Sequence, residues 1–507
     1  MPELGAIACG HPITASAAEE MLREGGNAFD AAIAAQFAAC VVEPVLASLG
    51  GGGFLLAHPV DATACVYDFF VQTPCHKRDS AELDFFPIHA DFGTTTQEFH
   101  IGLGSTATPG SVAGMFEIHR DLGSLPMSRI IEPAVRAARG GVRVNELQAS
   151  IFDIVKPIYL AKPEARTAYD DLREGHLLCQ PALAETLEAL GREGSALFYA
   201  GEIGASLVRL CADSGGHLGS DDLRDYAVMR RKPLALAYRD AQVLTNPPPS
   251  AGGILIGCAL ALMSERDISR AGFGSAEHLA TLVEAMHLTS QARVDLLAHA
   301  DRTGELDAGL LARYRQQVLK QPRFNRGTTH ISIVDKAGNV AAMTLSNGEG
   351  CGTLIPGTGV MLNNMLGEED INPGSLGDWA SAVRMTSMMA PTIVERGSDW
   401  RAALGSGGSN RIRTAILQVV SNLIDFSDQP GAAVARPRLH FERELLSAEG
   451  GFDPAVLAEL AAQVAELHQW PGQNLFFGGV HVVAHRDGSL RAAGDARRGG
   501  VGVVVSG

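Results

Sequence analysis

The chain has 507 residues, enough for ~3 domains or one large sandwich, and its 41 basic against 57 acidic side chains leave a formal charge of −16 that argues against a nucleic-acid partner. Its eight cysteines (Cys9, Cys40, Cys65, Cys75, Cys179, Cys211, Cys258 and Cys351) contain no Cys-x-x-Cys pair, so neither a zinc site nor a compact disulfide framework is read, and reduced, mostly packed thiols are expected. The longest apolar tracts, Ala31 to Val42 and Gly253 to Met263, fall short of the ~20 residues that cross a bilayer and read as buried helices. The opening Met1-Pro2-Glu3-Leu4-Gly5 shows no basic stretch before an apolar core, so no signal peptide is read and a cytoplasmic location is expected, or a periplasmic one if a leader precedes this sequence.

In chain order, Ser16-Ala17-Ala18-Glu19 is a capping-box pattern that predicts a helix through Leu22, stopped by Gly25-Gly26. Asn27 is placed to cap the next helix, whose alanine-rich body ends near Glu43-Pro44. Residues 127–140 and 180–214 read as amphipathic helices, and Ser275 to Ala300 as a long one with Leu279, Leu282, Val283 and Met286 on one face. From about residue 328 the pattern changes towards strands. Thr328 to Asp335 alternates, Lys336-Ala337-Gly338-Asn339 reads as a turn, and Val340 to Ser346 returns, which predicts a hairpin. Ile412, Ile416, Val419, Val420 and Leu423 then repeat at helical spacing, so Gly407-Gly408 falls where a helix begins. A second hairpin turns at Arg486-Asp487-Gly488, and Val501 to Val505 forms a last strand. Early helices and late strands predict an α/β fold and are what an αββα four-layer sandwich of two stacked, mainly antiparallel sheets flanked by helices would give.

Two places in this pattern carry chemistry. If the Gly327-Thr328 peptide bond is cut, Thr328 gains a free α-amino group that serves as general base for its own hydroxyl, turning a weak nucleophile into a usable one. Taken alone, a Thr-Thr pair at a strand start is more often sheet surface than catalyst. Gly407 and Gly408 offer backbone N–H groups with no side chain in the way, at a helix start whose potential favours a developing oxyanion. Taken alone, such a pair is more often a tight loop that needs glycine for its dihedral angles.

The surrounding motifs shift that balance. Gly10-His11-Pro12, Gly25-Gly26-Asn27-Ala28-Phe29-Asp30, Glu43-Pro44, Gly50-Gly51-Gly52-Gly53-Phe54, Thr108-Pro109-Gly110-Ser111 and Pro247-Pro248-Pro249-Ser250-Ala251-Gly252-Gly253 precede the Thr328 hairpin. Asn347-Gly348-Glu349-Gly350-Cys351-Gly352, Pro356-Gly357-Thr358-Gly359, Asn363-Asn364 and Gly405-Ser406-Gly407-Gly408-Ser409 follow it. In this order and at these separations they resemble the gamma-glutamyltranspeptidase family of N-terminal nucleophile hydrolases, over nearly the whole chain. The resemblance implies self-cleavage into a large portion, 1–327, and a small portion, 328–507, that stay together as one intertwined domain and a heterodimer of fragments, open to further oligomerisation. It implies a γ-glutamyl donor such as glutathione, an acyl-enzyme on Thr328, and water or an amine as acceptor. Neither a phosphate-cradling loop nor a metal-ligand spacing appears in the sequence, so no cofactor or metal is expected, and the charge and short apolar tracts give no nucleic-acid or membrane partner. An acylase acting on a less polar acyl group, as in the related cephalosporin acylases, and a non-cleaving binder of small amides are the alternatives.

The resemblance also assigns residues. Gly407 and Gly408 would form the oxyanion hole, and Ser346 matches a hydroxyl residue that hydrogen-bonds the nucleophile, against an ordinary reading as a strand serine. Asn347 falls one place early relative to a substrate-contacting asparagine. Asn363 and Asn364 could cross-link the loop around the site through their side-chain amides, although asparagines in a turn often do no more than satisfy the backbone. His330 would share a face with Thr328, but the α-amine already supplies a base, so a structural role is expected. In the substrate pocket Phe70 stands where the family has a carboxylate-binding arginine, and Arg78, a few residues on, is the candidate replacement. Glu368 is the best match for the acid that receives the α-amino group, beside Glu369 and Asp370, and the family's paired serines correspond to Ser387 and Met388. Loss of a bidentate carboxylate partner costs several kcal/mol of binding, enough to change the preferred substrate.

Overall fold

The alanine-rich run after Asn27 has no polar face, so it is stable only as a helix covered on all sides. In the computed structural model, which describes residues 2–91, 96–303, 327–368, 371–372, 377–397, 399–442 and 444–507, that is its environment. Helix α1 (Pro12–Arg23) packs on helix α2 (Ala28–Val42), which is buried at every position. Asn27 caps α2 as expected: its side chain accepts the N–H groups of Phe29 and Asp30, and Asp30 accepts the N–H of Asn27 in return. Helix α1 starts earlier than the Ser16 pattern predicts. His11 is its cap, accepting the Ile13 N–H at 3.1 Å through Nδ1, and Pro12 fills the first turn, where its missing donor has no cost. Ser16 is therefore an exposed residue inside the helix.

The strands of the two main sheets are β1 (Glu3–Cys9), β2 (Gly52–His58), β3 (Cys65–Phe69), β4 (Met229–Arg231), β5 (Leu234–Tyr238), β6 (Ala241–Thr245), β7 (Thr329–Asp335), β8 (Val340–Ser346), β9 (Thr392–Arg396), β10 (Trp400–Gly407), β11 (Gly479–Arg486), β12 (Ser489–Ala493) and β13 (Val501–Ser506). The first sheet runs β13-β1-β7-β8-β2-β3-β4 and the second β12-β11-β10-β9-β6-β5, with antiparallel pairing throughout. The predicted hairpins are β7-β8, which pairs Thr329 with Leu345 and Val334 with Val340, and β11-β12.

Alternation along each strand sorts the side chains between layers. Ala6, Ala8, Phe54, Leu56, Val334 and Ala342 point to the interior shared with Ile393, Ala403 and Val483 of the second sheet. Ile7, Cys9, Leu55, Ile331, Ile333 and Met343 point the other way, into the layer of α1 and α2. Helices α3 (Ala251–Met263) and α4 (Arg411–Ile424) cover the outer face of the second sheet, completing the αββα sandwich.

The remaining predicted helices hold with one subdivision. Residues 127–140 form one helix, whereas 180–214 divide into Pro181–Glu193, Ala196–Tyr199 and Glu202–Ser214, interrupted at Gly194 and Gly201. The long helix is Ala276–Thr303, with Leu279, Leu282 and Met286 buried and Val283 at the edge of the core. Cys9, Cys40, Cys211, Cys258 and Cys351 are buried free thiols, Cys65 and Cys75 are half-buried, and Cys179 is exposed. Among the described residues no helix is long and apolar enough to cross a membrane.

Candidate active site

Strand period places Thr328 and His330 on the inter-sheet face and Thr329 on the helix face. Thr328 is buried at the start of this strand, and its hydroxyl donates to the carbonyl oxygen of Gly327 at 2.8 Å. Ser346, at the far end of β8, donates to that same oxygen at 2.7 Å and accepts the Gly348 N–H at 3.1 Å. The Gly327 N–H donates to Glu349 Oε1 at 3.1 Å, so the residue before Thr328 is held on both of its backbone polar groups. Gly348 has φ +67°, and a Cβ there would lie 2.0 Å from Asn364 Oδ1 and 2.2 Å from Glu368 Oε1. Only glycine fits that turn. Asn364 Oδ1 accepts the Glu349 N–H, while Asn363 bonds the backbone of Gly50, Ala107 and Met365, so this pair ties the loops together.

Gly407 closes β10, and a Cβ on it would stand 2.1 Å from the carbonyl oxygen of Thr328. Gly408 follows with φ +123° and Ser409 with φ +54°, a left-handed turn that leads into α4 at Arg411. The helix therefore begins a little beyond the glycines, and its N-terminal potential still faces the Thr328 region.

A pocket of about 370 Å³ opens beside Thr328. Thr328, Ser346, Glu368, Ser387 and Ser409 are its polar lining, and Phe70, Met365, Ile371, Met388, Met389 and Ile412 form apolar walls. Phe70 stacks on Phe54 at 5.4 Å between ring centroids. Of the residues singled out in sequence, Thr328, Ser346, Phe70, Glu368 and Ser387 thus meet in one place. Glu369 and Asp370 lie outside the described residues.

Two expectations fail geometrically. Arg78 does not reach the pocket: its guanidinium donates to the carbonyls of Cys211 and Ala212, in the last turn of the 202–214 helix where a cation is favoured, and pairs with Glu82. Asn347 is fully buried and does not line the pocket either, because, one residue after Ser346, it faces the other side and packs against Gly51. No arginine or lysine is among the described residues that line this pocket. Arg384 passes beneath it, donating to the carbonyls of Phe70 and Ala227 and to the Tyr226 hydroxyl.

His330 is a structural residue. Its ring nitrogens bond the hydroxyls of Thr344 and Ser332, both at 2.8 Å, and burial holds its pKa well below the usual range, so it is neutral. On the helix face, which the sequence reading left empty, both carboxylate oxygens of buried Glu43 accept from Thr329 Oγ1, at 3.2 and 3.3 Å. Burial pushes the Glu43 carboxyl up to about 7, against the opposing pull of Thr329 and Arg498. A carboxyl raised above its unfolded value stabilises the fold most below that value and loses the contribution as pH rises through about 7. The loss amounts to about 3 kcal/mol. Glu43→Gln is therefore expected to gain thermal stability relative to the unsubstituted protein as pH is raised from 5 to 8; parallel melting curves across that range would remove this role from Glu43.

Comparison with known proteins bears on the family of the chain. The family model described as Gamma-glutamyltranspeptidase matches residues 14–505. The Glutathione hydrolase proenzyme of Escherichia coli (strain K12) is 31% identical over 522 aligned residues, covering 94% of this chain and 88% of that protein. The Acylase ACY 1 proenzyme of Pseudomonas sp. (strain V22) is 30% identical, covering 99% of this chain and 94% of that protein. Among solved structures, cephalosporin acylase from Bacillus halodurans superposes with a TM-score of 0.83 at 21% identity over 100% of this chain and 96% of that one, a likeness of fold. The Helicobacter pylori gamma-Glutamyltranspeptidase structure matches with a TM-score of 0.53 at 27% identity, covering 62% of this chain and 92% of that one. A nucleophile candidate at a buried strand start, a glycine loop against it and a family match over almost the full length lead to one assignment: the chain belongs to the gamma-glutamyltranspeptidase family.

Proposed function

We propose that the chain cuts itself between Gly327 and Thr328 and that the freed Thr328 then cleaves γ-glutamyl amides, glutathione among them, passing the acyl group to water or an amine. The observation that carries this reading is the convergence of the Thr328 and Ser346 hydroxyls on the Gly327 carbonyl oxygen. In self-cleavage Thr328 Oγ adds to that carbonyl carbon, the C–N bond breaks, the Thr328 nitrogen takes up the hydroxyl proton, and water hydrolyses the resulting ester to leave a Gly327 carboxylate and a free amine. Ser346 polarises the carbonyl under attack.

In turnover the α-amine of Thr328 accepts the hydroxyl proton as Oγ attacks the substrate amide, and it returns a proton to the departing amine. The N–H groups of Gly407 and Gly408 stabilise the tetrahedral oxyanion. Glu368 receives the donor's α-ammonium, and Ser387 contributes a hydroxyl to its α-carboxylate. The two portions, 1–327 and 328–507, act together as one enzyme.

A second reading has its own support. The apolar walls, with Phe70 among them and no cation among the described lining residues, suit an acyl group that carries no carboxylate. The relative named as an acylase, 30% identical over 99% of the chain, belongs to the same family comparison. Incubation with γ-glutamyl, glutaryl and aliphatic p-nitroanilides separates the two. Release of nitroaniline from the γ-glutamyl compound supports the first reading, and activity confined to the others ends it in favour of the second.

A further inference from the structure

Three buried arginines cluster beside the Gly407-Gly408 loop, and two of them are matched. Arg438 bonds Asp495 at 2.7 Å, while Arg497 bonds Glu449 at 2.5 Å and Asp495 at 3.2 Å. Two cations thus face two carboxylates. Arg498 is the third, 9% exposed, and its Nε has no hydrogen-bond partner among the described residues. The Asp495-capped turn Ala496–Arg498 fixes where its side chain starts.

The stem of Arg498 lies across Gly479, where an added Cβ would meet its Cβ, Cγ and Cδ at 2.7 to 2.8 Å. From there the guanidinium reaches the face of the loop that side chains on Gly407 and Gly408 would occupy. Nη1 is 3.3 Å from the position a Cβ would take on Gly407, and Nη2 is 3.2 Å from the equivalent point on Gly408. The same point on Gly407 is 2.1 Å from the Thr328 carbonyl oxygen, so the guanidinium and the backbone of the nucleophile residue meet the loop on the same face. Burial holds the Arg498 pKa down to about 10, with Asp495 and Glu43 acting in the opposite direction. The cation persists at neutral pH.

We propose that Arg498 is a positioning residue for the oxyanion loop: its guanidinium packs on Gly407 and Gly408 beside Thr328, holds the conformation that aims their N–H groups, and adds positive potential where the alkoxide forms. A preorganised buried charge acts mainly on the transition state, where negative charge has developed, and little on the neutral bound amide. The inference rests on the function proposed above.

Its test uses the full chain with Arg498→Gln, Arg498→Lys and Gly479→Ala, on whichever p-nitroanilide the unsubstituted protein cleaves. Expected for Arg498→Gln is a kcat lower by about ten- to a hundredfold with KM within about threefold, slower appearance of the two fragments on a denaturing gel, and partial recovery of kcat with added ethylguanidinium. Arg498→Lys should fall between. Gly479→Ala keeps the cation but displaces its stem, and should lower kcat in the same sense, which decides the matter if Arg498→Gln does not fold. Unchanged kcat in the folded variants, or a loss that follows thermal stability and is not rescued by ethylguanidinium, overturns the role of Arg498. An unsubstituted protein that never cleaves at Gly327 overturns the functional reading instead, and this inference with it.

Discussion

Thr328→Ala is expected to give a single polypeptide on a denaturing gel and turnover at background. The substitution removes both the hydroxyl that would attack the Gly327 carbonyl and the one that would attack substrate, so two readouts fail from one cause. Loss of a covalent nucleophile is typically worth about 10³-fold or more in kcat. The fold should survive, because the β7-β8 pairing begins at Thr329 and Leu345 and does not use the Thr328 side chain. Thr328→Ser retains a hydroxyl and should still process. N-terminal sequencing of the smaller fragment of the unsubstituted protein is expected to read Thr328-Thr329-His330-Ile331. Turnover in Thr328→Ala would take the nucleophile away from this residue, and a fragment starting elsewhere would move the cut.

Gly407→Ala is expected to produce the second largest effect. A methyl group there would fall 2.1 Å from the Thr328 carbonyl oxygen and 3.0 Å from its carbonyl carbon, both backbone atoms that cannot swing aside. The loop must then move away from Thr328, which takes an oxyanion donor off its target and lowers kcat by about 10²- to 10³-fold. Overpacking of this kind also costs about 1–3 kcal/mol of stability. Steady-state kinetics and thermal melting on the same sample separate the two effects. Gly431→Ala is the matched control, since a Cβ there meets nothing within 4 Å and φ is not positive. If Gly407→Ala keeps full kcat, the loop is not the oxyanion site.

What could be read from the amino-acid order depended on how locally each feature is determined. The β7-β8 hairpin was legible because alternation and the turn at Lys336 to Asn339 act within twenty residues, and helix α2 because Asn27 and Asp30 form a complete cap. The start of α1 was not, since histidine is an uncommon cap and the stronger Ser16 pattern outcompeted it. Arg78 was misplaced because a long cation reaches in any direction until the fold supplies its partners, here carbonyls more than 130 residues away. Asn347 carried the signal of its motif, but its side chain is buried against Gly51, a contact made across about 300 residues of sequence that only the fold supplies. Ser409 and Ile412 in the pocket wall had a readable context, a glycine loop entering a helix, and were not selected from it. Glu43 and Arg498 had none, because the first meets Thr329 286 residues later in the chain and the second reaches the glycine loop only after the two sheets have stacked.

Strand β1 lies between β13 and β7, so a strand from the beginning of the sequence is stitched on both edges to segments that come after residue 327. A nick before Thr328 therefore releases no piece, and the two products remain woven together by main-chain bonds. Once pulled apart by denaturant, however, they are separate molecules that must find each other again, so the severed form should refold in a concentration-dependent way although its folded body has lost almost nothing. Cutting the backbone would turn a reversible folder into one that is held together chiefly by the difficulty of opening it.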